Sequence, residues 1–406
     1  MKKKNCFKGK YGLYNDSNGR MMFQGKPFMG IGVNYFDLFT SAFYREWDIR
    51  PSLRAMEVLK KYGCKVIRFS TLPFYVEEYI YYEQTDLYWM TMDAVVSKAE
   101  ELGIGLLPSL FWTYSVNDYC DEPYQSAYLD ENSKTVAFIK DYIHKFVGRY
   151  VDSPAIYGWE FSNERVLGSD WPDASHFRGV WNKSNRKSRD ERDRVTLDGL
   201  NAMYSLFANC VAGEDPYERI ISTGDTNPRE TSYNRYAYGD METKDTHEQH
   251  EKVLDLLNPK GITALSQHQY SYGLVIDPKD ATSPLLDYFN TWHSFFSYLI
   301  EMSSKRNMSA YAGEVGYAHR YPENYGKITL ENATRPFYEA VVAQRQTGLP
   351  LILFWNYDPT AVQSNAAYIY DRGTGIEYSF SEHSSRGKRI LEIMKEGNQI
   401  LNEMNK

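Results

Sequence analysis

The chain alternates between short, nearly continuous apolar segments and longer segments in which apolar residues recur every three to four positions. The short segments are rich in β-branched and aromatic residues, which is typical of strands that are buried on both faces. The longer segments, such as residues 136–147 and 197–211, have the spacing of helices with one apolar side. The predicted strands lie at residues 28–36, 65–70, 103–112, 155–164, 219–225, 262–270, 309–317 and 349–355.

Eight pairs of strand and helix in one chain predict a (β/α)8 barrel, in which a ring of parallel strands is covered by helices. A doubly wound open sheet is the alternative that this pattern leaves open. The sequence has no internal repeat and no low-complexity linker, so it predicts a single domain over residues 1–406. Within that domain we expect an N-terminal hairpin over residues 1–27 and the barrel over residues 28–406.

The ends of the predicted barrel differ in their turns and loops. The segment SNGRMMFQGKPFMG, residues 17–30, has turn signals at Asn18-Gly19 and Gly25-Lys26, and it predicts a hairpin that closes the barrel floor. The segments after the third, fourth, sixth and eighth strands are long, whereas those that lead into strands are short. Because barrels carry their function on the loops after the strands, we expect chemistry at that face.

Composition limits the partners that such a barrel can have. Of 406 residues, 42% are hydrophobic and 24% charged, which is typical of a soluble globular protein. The formal net charge of −7 is spread along the chain and argues against nucleic acid or an anionic membrane as a partner. Aromatic residues make up 16% of the chain, so some are expected to line a surface or cleft.

The cysteines and the first residues bear on the cellular compartment. Cys6, Cys64, Cys120 and Cys210 are far apart and form no CxxC pair, which predicts free thiols, although one disulfide stays open. The opening residues MKKKNCFKGKYG have a positive flank but no apolar segment of a signal peptide after it. The expectation is a cytoplasmic protein, or a secreted one whose signal peptide has been removed.

Polar and charged residues interrupt the apolar strands at their C-terminal ends. The stretch GWEFSNER, residues 158–165, follows the apolar PAIY and places Asn163 and Glu164 at the end of the predicted fourth strand. A second acid, Glu314, comes at the matching end of the seventh strand. Since the ends of parallel strands share one rim, these side chains should meet there with others that end strands: Arg68, His268, Tyr270 and Trp355.

Two carboxylates at one rim suit the cleavage of glycosidic bonds. That reaction uses one protonated carboxyl, which donates to the leaving oxygen, and one ionised carboxylate. An Arg and a Tyr hydroxyl would keep one carboxyl charged, while loss of solvation would raise the pKa of the other. A Trp at the rim offers a flat apolar face to the C–H side of a sugar ring.

The strand-end residues "NE", "HQY", the Glu of the seventh strand and the Trp of the eighth resemble those of the retaining (β/α)8 glycoside hydrolases, in particular glycoside hydrolase family 5. The resemblance extends from about Gly25 to Met404. It implies that Glu164 is the acid/base and Glu314 the nucleophile. It implies no metal and no cofactor.

The same resemblance implies roles for the other rim residues. Asn163 would contact the 2-hydroxyl of the sugar, and Tyr270 and Arg68 would be partners of the nucleophile. His268 would be a hydrogen-bonding residue of the rim. Trp355 would form the platform under the sugar that is cleaved.

Within that family the motifs are most similar to those of β-mannanases. WEFSNE is close to their fourth-strand pattern, GVNYF is similar to their first strand, and LPSLFW ends in Trp112 rather than in the histidine common among cellulases. Two positions depart from the family pattern. Arg165 stands where many members have Pro, and GEVG replaces the commoner Glu-Phe-Gly.

Several residues also have a structural interpretation. Glu160 should face the barrel interior, where it pairs with a cation such as Arg68, and we assign it a structural role first. The histidines in HEQH, residues 247–250, lack the HExxH spacing of zinc proteases. Aromatic residues in rim loops could stack on sugars: Trp112, Tyr114, Trp171, Trp181, Tyr272 and Tyr357.

The predicted function is that of a retaining hydrolase that acts on a β-linked mannan, glucomannan or glucan. The favoured linkage is β-1,4. An exo-acting β-glycosidase on oligosaccharides is one alternative, since loop conformation decides where a chain is cut. A non-catalytic carbohydrate-binding barrel is another, but the presence of both Glu164 and Glu314 argues against it. A metal-dependent barrel needs several His and Asp at strand ends, where only His268 and Asp225 occur.

Overall fold

In a computed structural model the described residues are 7–71, 84–112, 115–170, 184–270, 291–317, 319–320, 330–360, 376–377 and 379–404. Their strands are β1 (Leu13–Asn15), β2 (Met21–Phe23), β3 (Lys26–Pro27), β4 (Gly30–Asn34), β5 (Val66–Ser70), β6 (Gly105–Ser109), β7 (Gly158–Glu160), β8 (Ile220–Ser222), β9 (Ala264–Tyr270), β10 (Ser309–Gly316), β11 (His319–Arg320), β12 (Leu351–Phe354) and β13 (Ile376–Glu377).

Eight of these strands form one parallel sheet in the order β8-β7-β6-β5-β4-β12-β10-β9. The two end strands of that order also meet. The N–H of Thr263, just before β9, donates to the Ile221 carbonyl in β8 at 2.9 Å, and the Thr263 hydroxyl accepts from the Ile221 N–H at 2.8 Å. The sheet therefore closes into the predicted (β/α)8 barrel, and the open-sheet alternative is wrong.

Helices follow the barrel strands and cover them. The helix over Lys134–Tyr150 begins where the Ser133 side chain accepts the Val136 N–H, and its predicted apolar residues are buried. The described α-helices are α1 (Arg50–Lys61), α2 (Thr85–Leu102), α3 (Ser115–Tyr119), α4 (Tyr124–Leu129), α5 (Lys134–Tyr150), α6 (Leu197–Glu214), α7 (Ser232–Tyr238), α8 (His247–Leu257), α9 (Trp292–Lys305), α10 (Leu330–Thr347) and α11 (Ser385–Met404).

The floor of the barrel is closed by the antiparallel sheet β1-β2-β3. Its first turn lies at Asn18-Gly19, as predicted, and Gly19 has the positive φ of 74° that such a turn requires. The predicted hairpin is thus extended by a third strand. Side chains of this sheet and of Phe28 pack on the lowest inward-facing residues of the barrel: Val66, Leu107, Ile220, Ala264, Tyr311, Leu351 and Leu353.

The fourth barrel strand is shorter than predicted. The sequence pattern places it at residues 155–164, whereas β7 ends at Glu160 and Glu164 lies beyond it with φ of 50°. Backbone bonds to the neighbouring strand and the segment after it continue beyond β7, since the N–H of Ser162 donates to the Thr223 carbonyl at 3.1 Å and that of Glu164 to the Gly224 carbonyl at 3.0 Å, but the positive φ of Glu164 breaks the extended conformation. Strand alternation therefore does not extend to Glu164, and its direction depends on the turn that follows β7.

Two simpler expectations concern membranes and thiols. Among the described helices, none combines the length and apolar character that crossing a bilayer requires. Cys64, Cys120 and Cys210 are unpaired, as predicted. Cys6 lies outside the described residues.

Candidate active site

Predicted site residues from four places in the sheet come together at the C-terminal end of the barrel. Arg68 lies in β5, His268 and Tyr270 in β9 and Glu314 in β10, while Glu164 follows β7. The side chains of Arg68 and Glu314 are 0% and 3% exposed, whereas that of Glu164 is 26% exposed. Glu164 therefore faces the opening of the barrel, and Glu314 lies below it.

The two glutamates are close and share one imidazole. Nδ1 of His268 lies 2.9 Å from Oε1 of Glu164 and 3.3 Å from Oε1 of Glu314. The nearest carboxyl oxygens of Glu164 and Glu314 lie within 4.8 Å of each other. Burial lowers the pKa of His268 to about 4, so the imidazole is neutral near pH 7 and can donate one proton toward either carboxylate.

Arg68 connects four side chains at the centre of the site. Its Nε donates to Glu160 at 2.8 Å, and its Nη1 donates to both Asn34 and Glu314 at 2.9 Å. Its Nη2 donates to Oδ1 of Asn163 at 2.8 Å. The planar guanidinium thus fixes the orientation of Glu314 and Asn163 at once, which a lysine ammonium could not do. The predicted pairing of Glu160 with Arg68 is confirmed.

A polar network beneath Arg68 satisfies its buried charge. The hydroxyl of Tyr311 donates to Oε2 of Glu160 at 2.7 Å, and the Tyr311 oxygen lies 2.9 Å from Oγ of Ser222. Burying an unpaired ion in a protein interior costs several kcal/mol, so these partners are required for Arg68 to lie inside the barrel. Glu160 contacts Arg68 from the floor side and is fully buried, in agreement with its assigned structural role.

Both glutamates have pKa values above the ordinary value, chiefly because burial penalises their charged forms. For Glu314, the neighbouring His268 and Arg68 and the hydrogen bond from the Tyr270 hydroxyl lower the pKa again, while the charge of Glu164 raises it. For Glu164, the opposing influences are the more distant Arg68 and a hydrogen bond from a neighbouring threonine. Because the carboxyls are so close, they titrate as a coupled pair.

A β-bulge directs Glu314 into the site. The pairing of β10 with β9 and with β12 shifts register directly after Ala312, which leaves Gly313 without a regular partner. The Gly313 carbonyl accepts instead from Nδ2 of Asn34 at 2.9 Å. Bulges next to active sites commonly redirect a side chain, and this one precedes Glu314 directly.

Gly313 also makes room for the imidazole of His268. A Cβ at position 313 would lie 2.8 Å from Nε2 of His268 and 2.7 Å from Oγ of Ser266. Both contacts are shorter than real Cβ atoms show, so one of these side chains would have to move.

We expect Gly313→Ala to displace His268 and to lower both activity and stability. Overpacking of this kind costs about 1–3 kcal/mol in the free energy of unfolding. Urea unfolding and steady-state kinetics of the variant would measure the two effects. Gly148→Ala is the matched control, because a Cβ at that position in α5 meets no atom within 4 Å. Wild-type values for Gly313→Ala would contradict the proposed crowding.

Aromatic side chains form one wall of the opening. The rings of Trp112 and Trp355 are nearly parallel, with an interplanar angle of 23° and centroids 6.4 Å apart. Phe36 packs against Trp112 at 4.9 Å, and the Arg68 guanidinium lies 4.6 Å from the centroid of the Trp112 ring. Trp112 and Trp355 are both partly exposed.

The remaining aromatic predictions have different outcomes. Tyr357 is fully buried and its hydroxyl donates to Glu382 at 2.9 Å, so its ring is not available to a sugar. The other predicted rim aromatics lie outside the described residues: Tyr114, Trp171, Trp181 and Tyr272.

Among the described residues, Glu164, His268 and Glu314 form the group whose ligand atoms are near enough to hold a metal ion. The Arg68 guanidinium, 2.9 Å from Oε1 of Glu314, already occupies one of these oxygens and disfavours a cation by its charge. Residues 247–250 form the first turn of α8 behind the capping Thr246, as expected of a polar helix start.

Sequence reasoning missed Asn34 and Tyr311, which orient Arg68 and Glu160. Asn34 ends β4 and so has the position of a rim residue, which was a usable signal in GVNYF. Tyr311 is one of several tyrosines in strands, and nothing in the local sequence marks it as a partner of Glu160.

Comparisons with known proteins bear on this site. No family model matches the chain. A curated relative, the probable mannan endo-1,4-beta-mannosidase F of Emericella nidulans, is 38% identical over 91 residues. That match covers 20% of this chain and 20% of the relative, so the chain spans about a fifth of the curated relative's length in the alignment.

Solved structures match over nearly the whole chain at low sequence identity. A glycoside hydrolase family 5 mannosidase from Rhizomucor miehei has a TM-score of 0.61 at 14% identity, covering 97% of this chain and 98% of that one. An endo-1,4-beta-mannanase from the same organism has a TM-score of 0.64 at 14% identity, with coverage of 97% and 99%. The (β/α)8 fold of this chain is therefore the fold of those enzymes.

Proposed function

We propose that this protein is a retaining glycoside hydrolase, related to family 5, that cleaves β-1,4-linked polysaccharide backbones containing mannose. The observation that carries the proposal is the pair Glu164 and Glu314, whose carboxyl oxygens lie within 4.8 Å of each other across the barrel opening. Carboxyl groups of retaining glycosidases are about 5–5.5 Å apart, whereas inverting enzymes separate them by about 6.5–9.5 Å to admit a water. The separation of Glu164 and Glu314 is well below the inverting range and therefore supports the retaining class.

The surroundings of the two carboxyls support Glu314 as the nucleophile. It accepts from Arg68 and from the Tyr270 hydroxyl, which hold both of its oxygens in place and favour the ionised form. Glu164 has no direct contact with Arg68 among the described hydrogen bonds, and its carboxyl is the more exposed of the two. It is thus the better group to keep a proton and to meet a leaving oxygen that must depart into solvent.

In the first step, an oxygen of Glu314 attacks the anomeric carbon and the bond to the leaving oxygen breaks. Glu164 gives its proton to that oxygen, so the leaving sugar departs as a neutral hydroxyl. Asn163, whose Oδ1 accepts from Arg68, is the residue to which we assign the bond to the 2-hydroxyl, where hydrogen bonds strengthen in the oxocarbenium-like transition state.

In the second step, Glu164 is ionised and acts as a base. It takes a proton from a water, whose oxygen attacks the anomeric carbon and displaces Glu314 as a carboxylate. The proton on Glu164 is thereby restored and the enzyme returns to its starting state. His268, neutral and between the two carboxyls, keeps them at a fixed separation through both steps.

The choice of a mannose-containing substrate rests on the motif WEFSNE, on Trp112 at the end of the third strand and on likeness to enzymes that are named mannanases. The neighbouring side chains of Trp112 and Trp355, both partly exposed, supply apolar surface for sugar rings. A glucan backbone is the second candidate, because a sugar that differs only at C2 can present the same C–H face to these side chains.

We expect reducing sugar to be released from mannan and glucomannan, with less or none from cellulose and xylan. One screen at equal substrate mass would measure this, and the Glu164→Ala variant is its blank for contaminating activity. Mannohexaose, in the same assay, distinguishes internal cleavage, which gives several products at once, from exo-acting removal of single sugars. Strong cleavage of cellulose or xylan with inert mannan would overturn the assignment of the substrate.

A further inference from the structure

Glu164, the proposed acid/base, is held in place by the segment that follows β8 and not by its own strand, β7. Glu164 has φ of 50°, and its N–H donates to the carbonyl of Gly224 at 3.0 Å. Gly224 follows β8 with φ of 72°, and a Cβ there would lie 2.0 Å from the Ser162 carbonyl oxygen. A glycine is required at this position because the backbones of the two strand ends approach so closely.

The next residue, Asp225, contacts the turn directly. Its side chain is buried, and Oδ1 accepts the Val166 N–H at 2.9 Å while Oδ2 accepts the Tyr204 hydroxyl at 2.5 Å. One residue further on, the Thr226 hydroxyl donates to the His268 carbonyl at 3.4 Å, and it is near enough to Glu164 to lower the pKa of that carboxyl. The segment 224–226 therefore accepts the N–H of Glu164 through Gly224 and that of Val166 through Asp225, and it lies beside the carboxyl of Glu164.

Arg165 holds the same turn from the opposite side. It is 6% exposed, its Nη2 donates to the Phe111 carbonyl after β6 at 2.9 Å, and its guanidinium lies 5.6 Å from the ring centroid of Phe161. Many members of the family that this sequence resembles have proline here, which fixes φ through its ring. In this chain the turn is fixed instead by side-chain contacts to the strands on both sides.

We propose that Asp225 is a positioning residue for Glu164, and that it acts by accepting the Val166 N–H. The inference rests on the proposed role of Glu164. A non-glycine residue at positive φ costs about 1–3 kcal/mol and persists only where its surroundings enforce it. Without the Asp225 acceptor, the buried Val166 N–H is unsatisfied and the turn can relax to negative φ.

Relaxation of the turn would move the carboxyl of Glu164 away from the leaving oxygen. Displacements of about 1 Å in a catalytic group can cost on the order of 10²-fold in rate. Burial raises the pKa of Asp225 to about 7, and the charge of Glu164 contributes to the increase, while Tyr204 and Arg165 oppose it. The carboxyls of Asp225 and Glu164 are thus close enough to influence each other.

The test compares substrates that differ in how much they need an acid. Asp225→Ala is expected to lower kcat/KM by roughly 10- to 100-fold on a phenyl β-glycoside and by less than about 3-fold on the 2,4-dinitrophenyl β-glycoside of the same sugar. Asp225→Asn keeps an oxygen for the Val166 N–H and is expected to recover most of the loss. A general folding defect would lower kcat/KM on both substrates alike.

Asp215→Ala is the matched control for the loss of a buried carboxylate. Asp215 also accepts one backbone N–H, from Tyr217, and its side-chain donors are Nε1 of Trp159 and Nη1 of Arg219, but it lies before β8 at the opposite end of the barrel. Its variant is expected to lower thermal stability without changing the ratio of kcat/KM between the two substrates. Equal losses on both substrates for Asp225→Ala would overturn the proposal.

A double-mutant cycle separates this inference from the proposed function. In the Glu164→Ala background, Asp225→Ala should add no further loss on the phenyl glycoside, because the group that it positions is already gone. Additive losses would show that Asp225 does not act through Glu164. They would contradict this inference and leave the proposed function untouched. Failure of Glu164→Ala itself to discriminate between the two substrates would instead remove the proposed role of Glu164.

Discussion

Glu164→Ala is expected to lower kcat/KM on mannan and on phenyl glycosides by about 10²–10⁴-fold, which is the usual contribution of a general acid. On a 2,4-dinitrophenyl glycoside the loss in kcat/KM should be small, because a leaving group of low pKa needs no proton. The second step, however, still lacks its base, so kcat on that substrate should fall as the glycosyl-enzyme accumulates. Steady-state kinetics on the two aryl glycosides measure both effects.

Azide provides the control for this variant. The anion is a nucleophile that needs no base, so it should restore kcat of Glu164→Ala on the dinitrophenyl substrate and yield a β-glycosyl azide. Wild-type enzyme should gain nothing from azide. If the alanine variant lost kcat/KM equally on both glycosides, Glu164 would not be the proton donor.

The pH profile follows from the same pair. Activity requires a proton on Glu164 and none on Glu314, so kcat/KM should be bell-shaped in pH. Burial raises the pKa of Glu164, which keeps the proton to higher pH and extends the alkaline limb in that direction. In Glu164→Ala on the activated substrate, the alkaline limb should disappear while the acidic limb remains. The apparent pKa values belong to the coupled pair rather than to single residues.

The barrel strands could be predicted from the sequence because both faces of each strand are buried. All eight predicted segments contain an observed strand, and burial on both faces leaves a continuous apolar signal that needs no knowledge of neighbours. Closure of the ring is different. It depends on hydrogen bonds between Ile221 and Thr263, which are distant in sequence, and no local pattern distinguishes them from the edges of an open sheet.

The residues that share the rim could be predicted in the same way, since a strand end fixes where a side chain lies. Their orientations could not. The direction of Glu314 depends on the bulge at Gly313, and the direction of Glu164 depends on a turn with positive φ. Both features involve contacts with other strands, through Asn34 in one case and, on our proposal, Asp225 in the other. Each of these two residues comes at a strand end, which marks it as a rim residue, but nothing in the local sequence indicates which carboxyl it orients.

Glu314→Ala should abolish turnover on every substrate, with a loss of roughly 10⁴–10⁶-fold in kcat, as for the removal of a residue from a catalytic unit. Unlike Glu164→Ala, this variant should not discriminate between good and poor leaving groups, because the first step requires the nucleophile in both. The fold should persist, since Arg68 keeps its contacts with Glu160 and Asn163. Circular dichroism and thermal unfolding of the variant provide that control.

The covalent intermediate is the sharper test of Glu314. The nearest carboxyl oxygens of Glu314 and Glu164 lie within 4.8 Å of each other, well below the separation by which inverting enzymes admit a water. On the proposed mechanism Glu314 attacks the anomeric carbon directly, and a 2-deoxy-2-fluoro β-mannoside with a dinitrophenyl leaving group should trap it. Fluorine disfavours the oxocarbenium-like transition states of both steps, but the good leaving group still allows the first step. The second step stays slow, so the adduct accumulates. Mass spectrometry of peptic fragments should locate the added sugar on Glu314.

The stereochemical course decides the mechanism independently of any variant. Two displacements at the anomeric carbon invert its configuration twice, so the first product from a β-linked substrate must be the β-anomer. Proton NMR within the first minutes of cleavage, before mutarotation, measures this directly. An α-anomer as first product would show that water attacks in a single step with Glu314 as base, and it would refute the double displacement even if Glu164 and Glu314 both proved essential.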